Sequence, residues 1–295
     1  MSNYVLITFA KNEEKFLPKI INSLLEYDLH PILWIFINDY STDNTLNLLE
    51  EYVNKYSFIK VINTDDKNKI TLVDGRFGYL ANIGFNYAIN YCLNNKINWD
   101  YIGFLDADTQ ISKNYFRRLI NNLDLNQDLG IVSGTLYSMN SKNRYKKESS
   151  YSHLASGSGR LIRKKCLFNI KGYDVTLSAD TVSLVRAIIN GWKTRRYTDI
   201  IAFQLRETSS KEGLVKGYYW VGINRYFYNY HPLIILFNII KLFFSSHFVY
   251  IPDFLRGYYS GLLHKYRIKD VIISQYFYSY RLREILHIIF HGDNP

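Results

Sequence analysis

Short apolar runs alternate with segments of helical spacing through the first half of this 295-residue chain. Strands are predicted at 4–9, 32–37, 58–62, 101–105 and 131–136, and helical spacing of apolar residues fills the intervals. Strands that are apolar along their whole length are typical of a parallel sheet covered on both faces. The pattern therefore predicts an α/β fold in which helices flank a mostly parallel central sheet. Ligands of such sheets bind beyond the carboxyl ends of the strands.

Composition narrows the class of protein. A hydrophobic content of 47% with 21% charged residues indicates a folded chain and excludes disorder as its main state. The formal net charge of +10 favours anionic partners, which include nucleic acid, acidic lipid headgroups and phosphorylated small molecules. Two cysteines exclude a disulfide scaffold and a Cys-rich zinc site, and they favour a reducing compartment.

The motif that most strongly indicates a function is Asp106-Ala107-Asp108, which directly follows the predicted strand at 101–105. In extended backbone, residues i and i+2 face the same way, so both carboxylates can contact one cation. Mg²⁺ and Mn²⁺ prefer oxygen ligands and can share the phosphate oxygens of a nucleotide. An acidic turn in which an Asp starts a helix is the alternative, and the position after a strand favours metal binding.

Polar residues also follow the first two strands, at Ala10-Lys11-Asn12-Glu13 and at Asn38-Asp39. Asp39 is suited to accept hydrogen bonds from a nucleobase or a ribose, and an Asx-turn is its alternative role. Asn12 and Glu13 suit a ligand contact and helix capping equally well. Three neighbouring strand ends are thus predicted to line one edge of the sheet.

Taken in order, the segments 10–13, 38–45, 76–84 and 106–108 resemble glycosyltransferase family 2. The resemblance covers about residues 4–210. It implies the GT-A fold and an enzyme that transfers a sugar from a nucleotide-diphosphate sugar with inversion at the anomeric carbon. It also implies a donor site, in which Asp39 contacts the base and Arg76 lies near the diphosphate. The implied donor-site residues are Ala10, Asn12, Glu13, Asp39, Arg76, Asn82, Asp106 and Asp108.

The same resemblance implies which residues bind the metal and which bind the acceptor. Asp106 and Asp108 would bind Mn²⁺ or Mg²⁺, with Asp108 the more direct ligand. The acceptor site would include Gly157, Ser158 and Gly159. Asp180 aligns with the catalytic Asp of the family, and inversion requires one such base to take the proton of the attacking acceptor hydroxyl. Asp180 also suits the N-cap of the helix that follows it, a role compatible with catalysis.

The chain departs from the family pattern at two positions. Ala179 stands where the family has a Glu beside the catalytic Asp, which leaves the acceptor contacts undefined. Gln204 stands where many relatives have a metal-binding His, and an amide is a weaker ligand. We therefore expect Asp108 and the nucleotide to hold the metal. Arg206 and Lys211 follow Gln204 and are candidate contacts of the diphosphate.

The region after residue 213 has a different character, because aromatic and aliphatic residues mix there with scattered basic ones. The most apolar window, 232–251, is interrupted by Lys241, which would cost about 2.5–3.5 kcal/mol at the centre of a membrane span. The pattern favours helices that lie on an anionic membrane surface. Packing on the catalytic core or on a second subunit is the alternative.

These patterns predict a catalytic domain at 1–213, with a donor half at about 1–110 and an acceptor half at about 111–213. A helical, aromatic-rich extension follows at 214–295. Because 1–9 has no basic region before its apolar run, we expect no secretory signal and a peripheral position on the cytoplasmic face of a membrane. A lipid-linked glycan is then an expected acceptor, although related enzymes also act on soluble glycans.

Three other functions compete with glycosyl transfer. A nucleotidyltransferase would typically need a basic glycine-rich loop after the first strand, whereas 10–14 is acidic. A nucleic-acid-binding protein would explain the net charge, but strand-end carboxylates would repel phosphates, so we expect no nucleic-acid partner. A non-catalytic scaffold is disfavoured because Asp108 and Asp180 are both retained.

Overall fold

The computed structural model describes residues 2–64, 70–71, 75–139, 144–148, 152–206 and 213–291. The chain divides into two compact units, Met1–Glu207 and Thr208–Pro295, whereas the sequence pattern places the boundary at 213. The first unit contains a mixed sheet with helices on both faces, and the second is helical. The predicted α/β class with a helical extension is therefore confirmed.

The first part of the sheet is parallel. Its strands are β1 (Tyr4–Ala10), β2 (Leu33–Asp39), β3 (Ile59–Thr64) and β4 (Tyr101–Phe104), in the order β3-β2-β1-β4. These are four of the five strands predicted from apolar runs. β1, β2 and β4 are buried on both faces, which explains why their sequences lack polar alternation.

The second part of the sheet is mixed. Its strands are β5 (Thr109–Ile111), β6 (Leu129–Met139), β7 (Tyr145–Lys147), β8 (Arg160–Arg163) and β9 (Lys193–Gln204). From β4 the order continues as β8-β6-β9-β5, with β7 paired to β6. β8 is antiparallel to both of its neighbours, β6 and β9 are parallel, and β5 is antiparallel to β9. The last pairing places Gln204 opposite Thr109, beside the acidic motif.

Among the described residues of the first unit, six helices cover the two faces of the sheet. They are α1 (Leu17–Tyr27), α2 (Thr45–Lys55), α3 (Arg76–Asn94), α4 (Tyr115–Leu125), α5 (Lys164–Asn169) and α6 (Ala179–Ile189). Strand alternation sends Trp34 and Phe36 into the core with α1 and α4, and Ile35 and Ile37 into the core with α3. The sheet is therefore held between two hydrophobic cores.

Helix α3 lies very close to its neighbours at two glycines. A Cβ on Gly84 would lie 2.8 Å from the Ile7 side chain, and one on Gly78 would lie 2.0 Å from the carbonyl oxygen of Asp174. Only glycine permits such approaches. These contacts bring the start of α3 to the carboxyl edge of the sheet and to the segment that precedes α6.

The second unit consists of short helices. Its α-helices are α7 (Gly213–Phe227), α8 (Pro232–Phe243), α9 (Ile251–Leu263), α10 (Val271–Gln275) and α11 (Arg281–His291). A 3₁₀ turn at Phe248–Tyr250 precedes α9, and a π-helical turn at Tyr276–Tyr280 follows α10. Gly222 and Gly257 let α7 and α9 pack backbone against backbone. Within the described ranges, no helix has both the length and the apolarity needed to cross a bilayer.

Candidate active site

The first two strand-end loops are bonded to each other. The backbone N–H of Asn12 donates to the Ser41 hydroxyl at 3.0 Å, and the N–H of Thr42 donates to the Asn12 side-chain oxygen at 2.8 Å. The N–H of Glu13 donates to the Thr45 hydroxyl at 2.8 Å. Asn12 therefore binds the loop that follows β2. It does not cap α1, whose N-cap is Phe16. Ala10 is fully buried in the core at the end of β1.

Asp39, at the end of β2, lies in a cationic environment. Its carboxylate pairs with the Arg76 guanidinium, with a distance of 3.1 Å from Arg76 Nε to Oδ2, and it accepts a hydrogen bond from the Thr64 hydroxyl at 3.1 Å. Lys11 Nζ lies 3.8 Å away. Burial alone raises the pKa of Asp39, but the bonds and charge of Arg76 outweigh it and hold that pKa below its ordinary value. Asp39 is therefore a fixed anion.

Asp106 and Asp108 lie in a turn between β4 and β5. The N–H of Thr109 donates to the carbonyl of Asp106 at 3.0 Å, so the backbone closes a turn there. The extended backbone assumed for these residues was wrong, but their carboxylates still influence each other. Burial and the neighbouring Asp108 charge raise the pKa of Asp106 to about 7, and Asp180 contributes in the same direction. Such crowding of negative charge is relieved when a cation joins the group.

Arg206, two residues after β9, forms ion pairs with two buried acids. Its Nη2 lies 2.6 Å from Glu13 Oε1, and its Nε pairs with Asp108 Oδ2. Glu13 and Asp108 are 3% and 2% exposed. The sequence pattern gave Arg206 as a candidate contact of the diphosphate and missed both ion pairs, which span large sequence separations. The other candidate, Lys211, lies outside the described residues. The pairing of β9 with β5, which follows Asp108, is the feature that brings it there.

The segment 157–159 joins the acidic turn to α6. The N–H of Asp106 donates to the Ser158 hydroxyl at 3.0 Å, and that hydroxyl donates to Thr109 Oγ1 at 3.2 Å. A Cβ on Gly157 would lie 3.1 Å from Asp180 Oδ2, so the Asp180 carboxylate lies against this glycine. Gly159 adopts φ +66° and accepts a hydrogen bond from the Tyr115 hydroxyl at 2.8 Å. The predicted acceptor residues and Asp180 are thus brought together.

Asp180 lies in the first turn of α6. The N-cap of this helix is Ser178, in the left-handed conformation, so the expectation that Asp180 is the N-cap was wrong. Its carbonyl accepts hydrogen bonds from Arg160 Nη1 at 3.1 Å and from the Ser183 hydroxyl at 2.8 Å. Arg160 is only 1% exposed, and sequence patterns assigned it no role. These bonds fix the backbone from which the half-buried Asp180 side chain projects.

The Asn82 side chain on α3 forms two hydrogen bonds with the backbone of Tyr173. Its amide donates to the Tyr173 carbonyl at 2.7 Å, and its oxygen accepts from the Tyr173 N–H at 3.2 Å. The observed role of Asn82 is therefore to hold the segment that precedes α6. Its predicted contact with the donor stays a prediction.

The site therefore has two groups of carboxylates on one edge of the sheet. We call them the two anionic centres after their carboxylates, although Arg76 and Lys11 pair with the first. One contains Asp39 and Arg76, and the other contains Asp106, Asp108 and Asp180. Residues 11–13 link them, because Lys11 lies beside Asp39 while Glu13 pairs with Arg206.

The donor set around the acidic turn fits a hard divalent cation in part. Asp106 and Asp108 offer carboxylate oxygens, which Mg²⁺ and Mn²⁺ prefer. Among the residues that the structure describes, no group of three or more His, Cys, Asp or Glu is arranged to hold a metal ion.

Comparisons with curated proteins identify relatives of this chain. EpsJ of Bacillus subtilis, named an uncharacterized glycosyltransferase, is 30% identical over 133 residues, which are 45% of this chain and 33% of EpsJ. The beta-monoglucosyldiacylglycerol synthase of Synechocystis is 33% identical over 119 residues, which are 39% of this chain and 22% of the synthase. The matches thus span a third or less of these relatives.

Solved structures share the fold. S. aureus TarS 1–349 in complex with UDP-GlcNAc has a TM-score of 0.54 at 15% identity, over 99% of this chain and 88% of that one. The mannosyltransferase PcManGT of Pyrobaculum calidifontis, in complex with GDP-Man and Mn²⁺, has a TM-score of 0.56 at 12% identity, over 100% of this chain and 77% of that one. At these identities the likeness establishes the GT-A fold.

The model of the family described as Glycosyl transferase family 2 matches residues 5–188, which include the residues of both anionic centres. The strand-end motifs, the GT-A fold and this match agree, and the chain belongs to glycosyl transferase family 2.

Proposed function

We propose that this protein transfers a sugar from a nucleotide-diphosphate sugar to an acceptor hydroxyl or phosphate, with inversion at the anomeric carbon. The observation that carries the proposal is the gathering of Asp106, Asp108 and Asp180 around Gly157 and Ser158 in a member of this family. Two structural neighbours are complexes with UDP-GlcNAc and with GDP-Man, which supports a nucleotide sugar as the donor.

Donor binding follows from the two anionic centres. Asp39 stays ionised because Arg76 holds its pKa low, so it accepts hydrogen bonds from the N–H groups of a base or the hydroxyls of a ribose. Asp106 and Asp108 would hold Mn²⁺ or Mg²⁺ together with the diphosphate. When bound, this cation neutralises the charge that develops on the leaving diphosphate.

Asp180 is the proposed general base. The acceptor oxygen forms a bond to the anomeric carbon while the bond from that carbon to the diphosphate oxygen breaks, and the acceptor proton passes to the Asp180 carboxylate. The nucleoside diphosphate leaves with the bonding electrons. Gly157 lacks a side chain, so an acceptor can approach the carboxylate over it.

The second unit supports a lipid-linked acceptor at a membrane surface. The exposed face of α8 is apolar at helical spacing, with Leu233, Leu236, Phe237 and Ile240 each at least 44% exposed. Residues 213–291 contain nine Lys and Arg against three Asp and Glu. Apolar side chains beside excess positive charge suit an anionic lipid surface. The name of one relative, beta-monoglucosyldiacylglycerol synthase, is consistent with a lipid acceptor.

The test is nucleotide-sugar binding and slow donor hydrolysis by the purified chain, in which water replaces the acceptor. A panel of uridine-, guanosine- and thymidine-diphosphate sugars, each with and without Mn²⁺, is titrated calorimetrically. We expect one donor to bind in a metal-dependent manner and to be hydrolysed slowly.

Two variants separate the roles of the carboxylates. Asp108→Asn should lose metal-dependent binding, because it removes a ligand charge. Asp180→Asn should keep donor binding and lose hydrolysis by about 10²-fold or more, because only the proton acceptor is removed. Failure of the folded wild-type protein to bind any donor would overturn the proposal. Equal hydrolysis by Asp180→Asn would remove Asp180 from the role of base.

A further inference from the structure

Arg206 forms ion pairs with two carboxylates at the second anionic centre. Its guanidinium bridges Glu13, at 2.6 Å, and Asp108, and it lies 5.7 Å from the centre of the Phe16 ring. Both carboxylates are almost completely buried. A buried carboxylate without a cation is costly, so each of these acids depends on the guanidinium.

The Asp108 carboxylate has both oxygens engaged. Oδ2 pairs with Arg206 Nε, and Oδ1 faces the Thr109 hydroxyl at 3.4 Å. A divalent cation can take Oδ2 as a ligand only if the guanidinium moves away. That movement also breaks the Arg206–Glu13 pair, so binding of the cation by itself must offset the loss of two buried ion pairs.

We infer that Arg206 is a positioning residue that holds the Asp108 carboxylate in the donor-free protein and competes with the divalent cation for it. The inference rests on the proposed function, since it concerns the same metal and donor. Its consequence is ordered binding, in which the cation binds weakly alone and firmly only with a nucleotide diphosphate. The diphosphate supplies further oxygen ligands and negative charge for the released guanidinium.

The test measures Mn²⁺ binding without any nucleotide, from the free Mn²⁺ signal in electron paramagnetic resonance. Wild type should bind weakly, and Arg206→Gln should bind at least tenfold more tightly, because Glu13 and Asp108 lose their resident cation. Adding Asp108→Asn to Arg206→Gln should abolish the gain. Arg118→Gln is the matched control, since Arg118 pairs with Asp199 outside the site and its loss should leave Mn²⁺ binding unchanged.

Arg206→Lys is the second variant, to be measured if Arg206→Gln does not fold. The ammonium keeps the charge but cannot bridge both acids in the same way, so Mn²⁺ affinity should increase several-fold. Unchanged Mn²⁺ affinity in a folded Arg206→Gln or Arg206→Lys variant would overturn the inference. Because this titration contains no nucleotide, its result is independent of the donor panel that tests the proposed function.

Discussion

Asp39 and Asp106 are both acids at strand ends, yet their surroundings move their pKa values in opposite directions. At Asp39, the bonds and charge of Arg76 outweigh burial, and the pKa is lowered. At Asp106, burial and the Asp108 charge act together, and the pKa is raised to about 7. Asp39 is therefore suited to act as a permanent hydrogen-bond acceptor, whereas Asp106 is suited to a cation that removes the repulsion.

The Asp39–Arg76 pair gives a pH-dependent prediction. Because the folded-state pKa of Asp39 is depressed, its contribution to stability is present above the ordinary value of 3.8 and is lost as pH falls toward the folded value. Asp39→Asn should lower the free energy of unfolding by about 3 kcal/mol at pH 7, since it leaves Arg76 buried beside a neutral group. The difference from wild type should shrink below pH 3.8 in urea denaturation.

The control for this prediction is Asp199→Asn. Asp199 pairs with Arg118, but its side chain is 65% exposed, so the loss should stay below about 1 kcal/mol at every pH. Equal effects of the two variants would contradict the assignment of Asp39–Arg76 as a structural ion pair.

At the scale of single elements, helix α4 is held at its first turn by a residue distant in sequence. Helix α4 has Asn114 at its N-cap with no side-chain hydrogen bond of its own. Asp28, just after α1, accepts the Phe116 N–H at 2.6 Å and the Arg117 N–H at 3.1 Å. Apolar spacing predicts both helices, but it gives no sign that one caps the other.

Asp28→Ala should therefore destabilise α4. The expected loss is about 1–2 kcal/mol, because two N–H groups of the first turn lose their acceptor. Chemical denaturation measures the loss, and amide exchange of residues 116–118 should accelerate more than that of the strands. Asp128→Ala is the control, since Asp128 is exposed and pairs with Lys193, which is also exposed. A smaller effect for Asp28→Ala than for this control would refute the cross-helix cap.

At the scale of the whole molecule, apolar exposure is concentrated in the second unit. Leu233, Leu236, Phe237, Ile240 and Phe243 form an exposed stripe on α8, and Phe244 after it is 84% exposed. Exposed apolar patches of this kind mark interaction surfaces. The positive charge of residues 213–291 favours an anionic lipid as the partner.

Replacing Phe237 and Phe244 together by Ser should weaken binding to vesicles that contain anionic lipid. Loss of two inserted aromatic side chains predicts a decrease of at least about tenfold in co-sedimentation, and added salt should weaken the remaining binding. Leu93→Ser with Leu125→Ser is the matched control, because both leucines are highly exposed in the first unit. Equal vesicle binding by both double variants would favour another partner for α8.

The sequence by itself determined five of the strands, β1–β4 and β6, and the positions of Asp39, Asp106 and Asp108 at strand ends. These follow from local periodicity and from strand-end chemistry, which need no knowledge of distant residues. Asp180, in contrast, was assigned through the family resemblance. The tertiary structure alone decided the partners of these acids. Arg206 reaches Asp108 and Glu13 only because β9 pairs with β5, and Asp180 meets Gly157 only because β8 lies between β4 and β6. Long-range pairing depends on the packing of the whole sheet, and no local pattern specifies it.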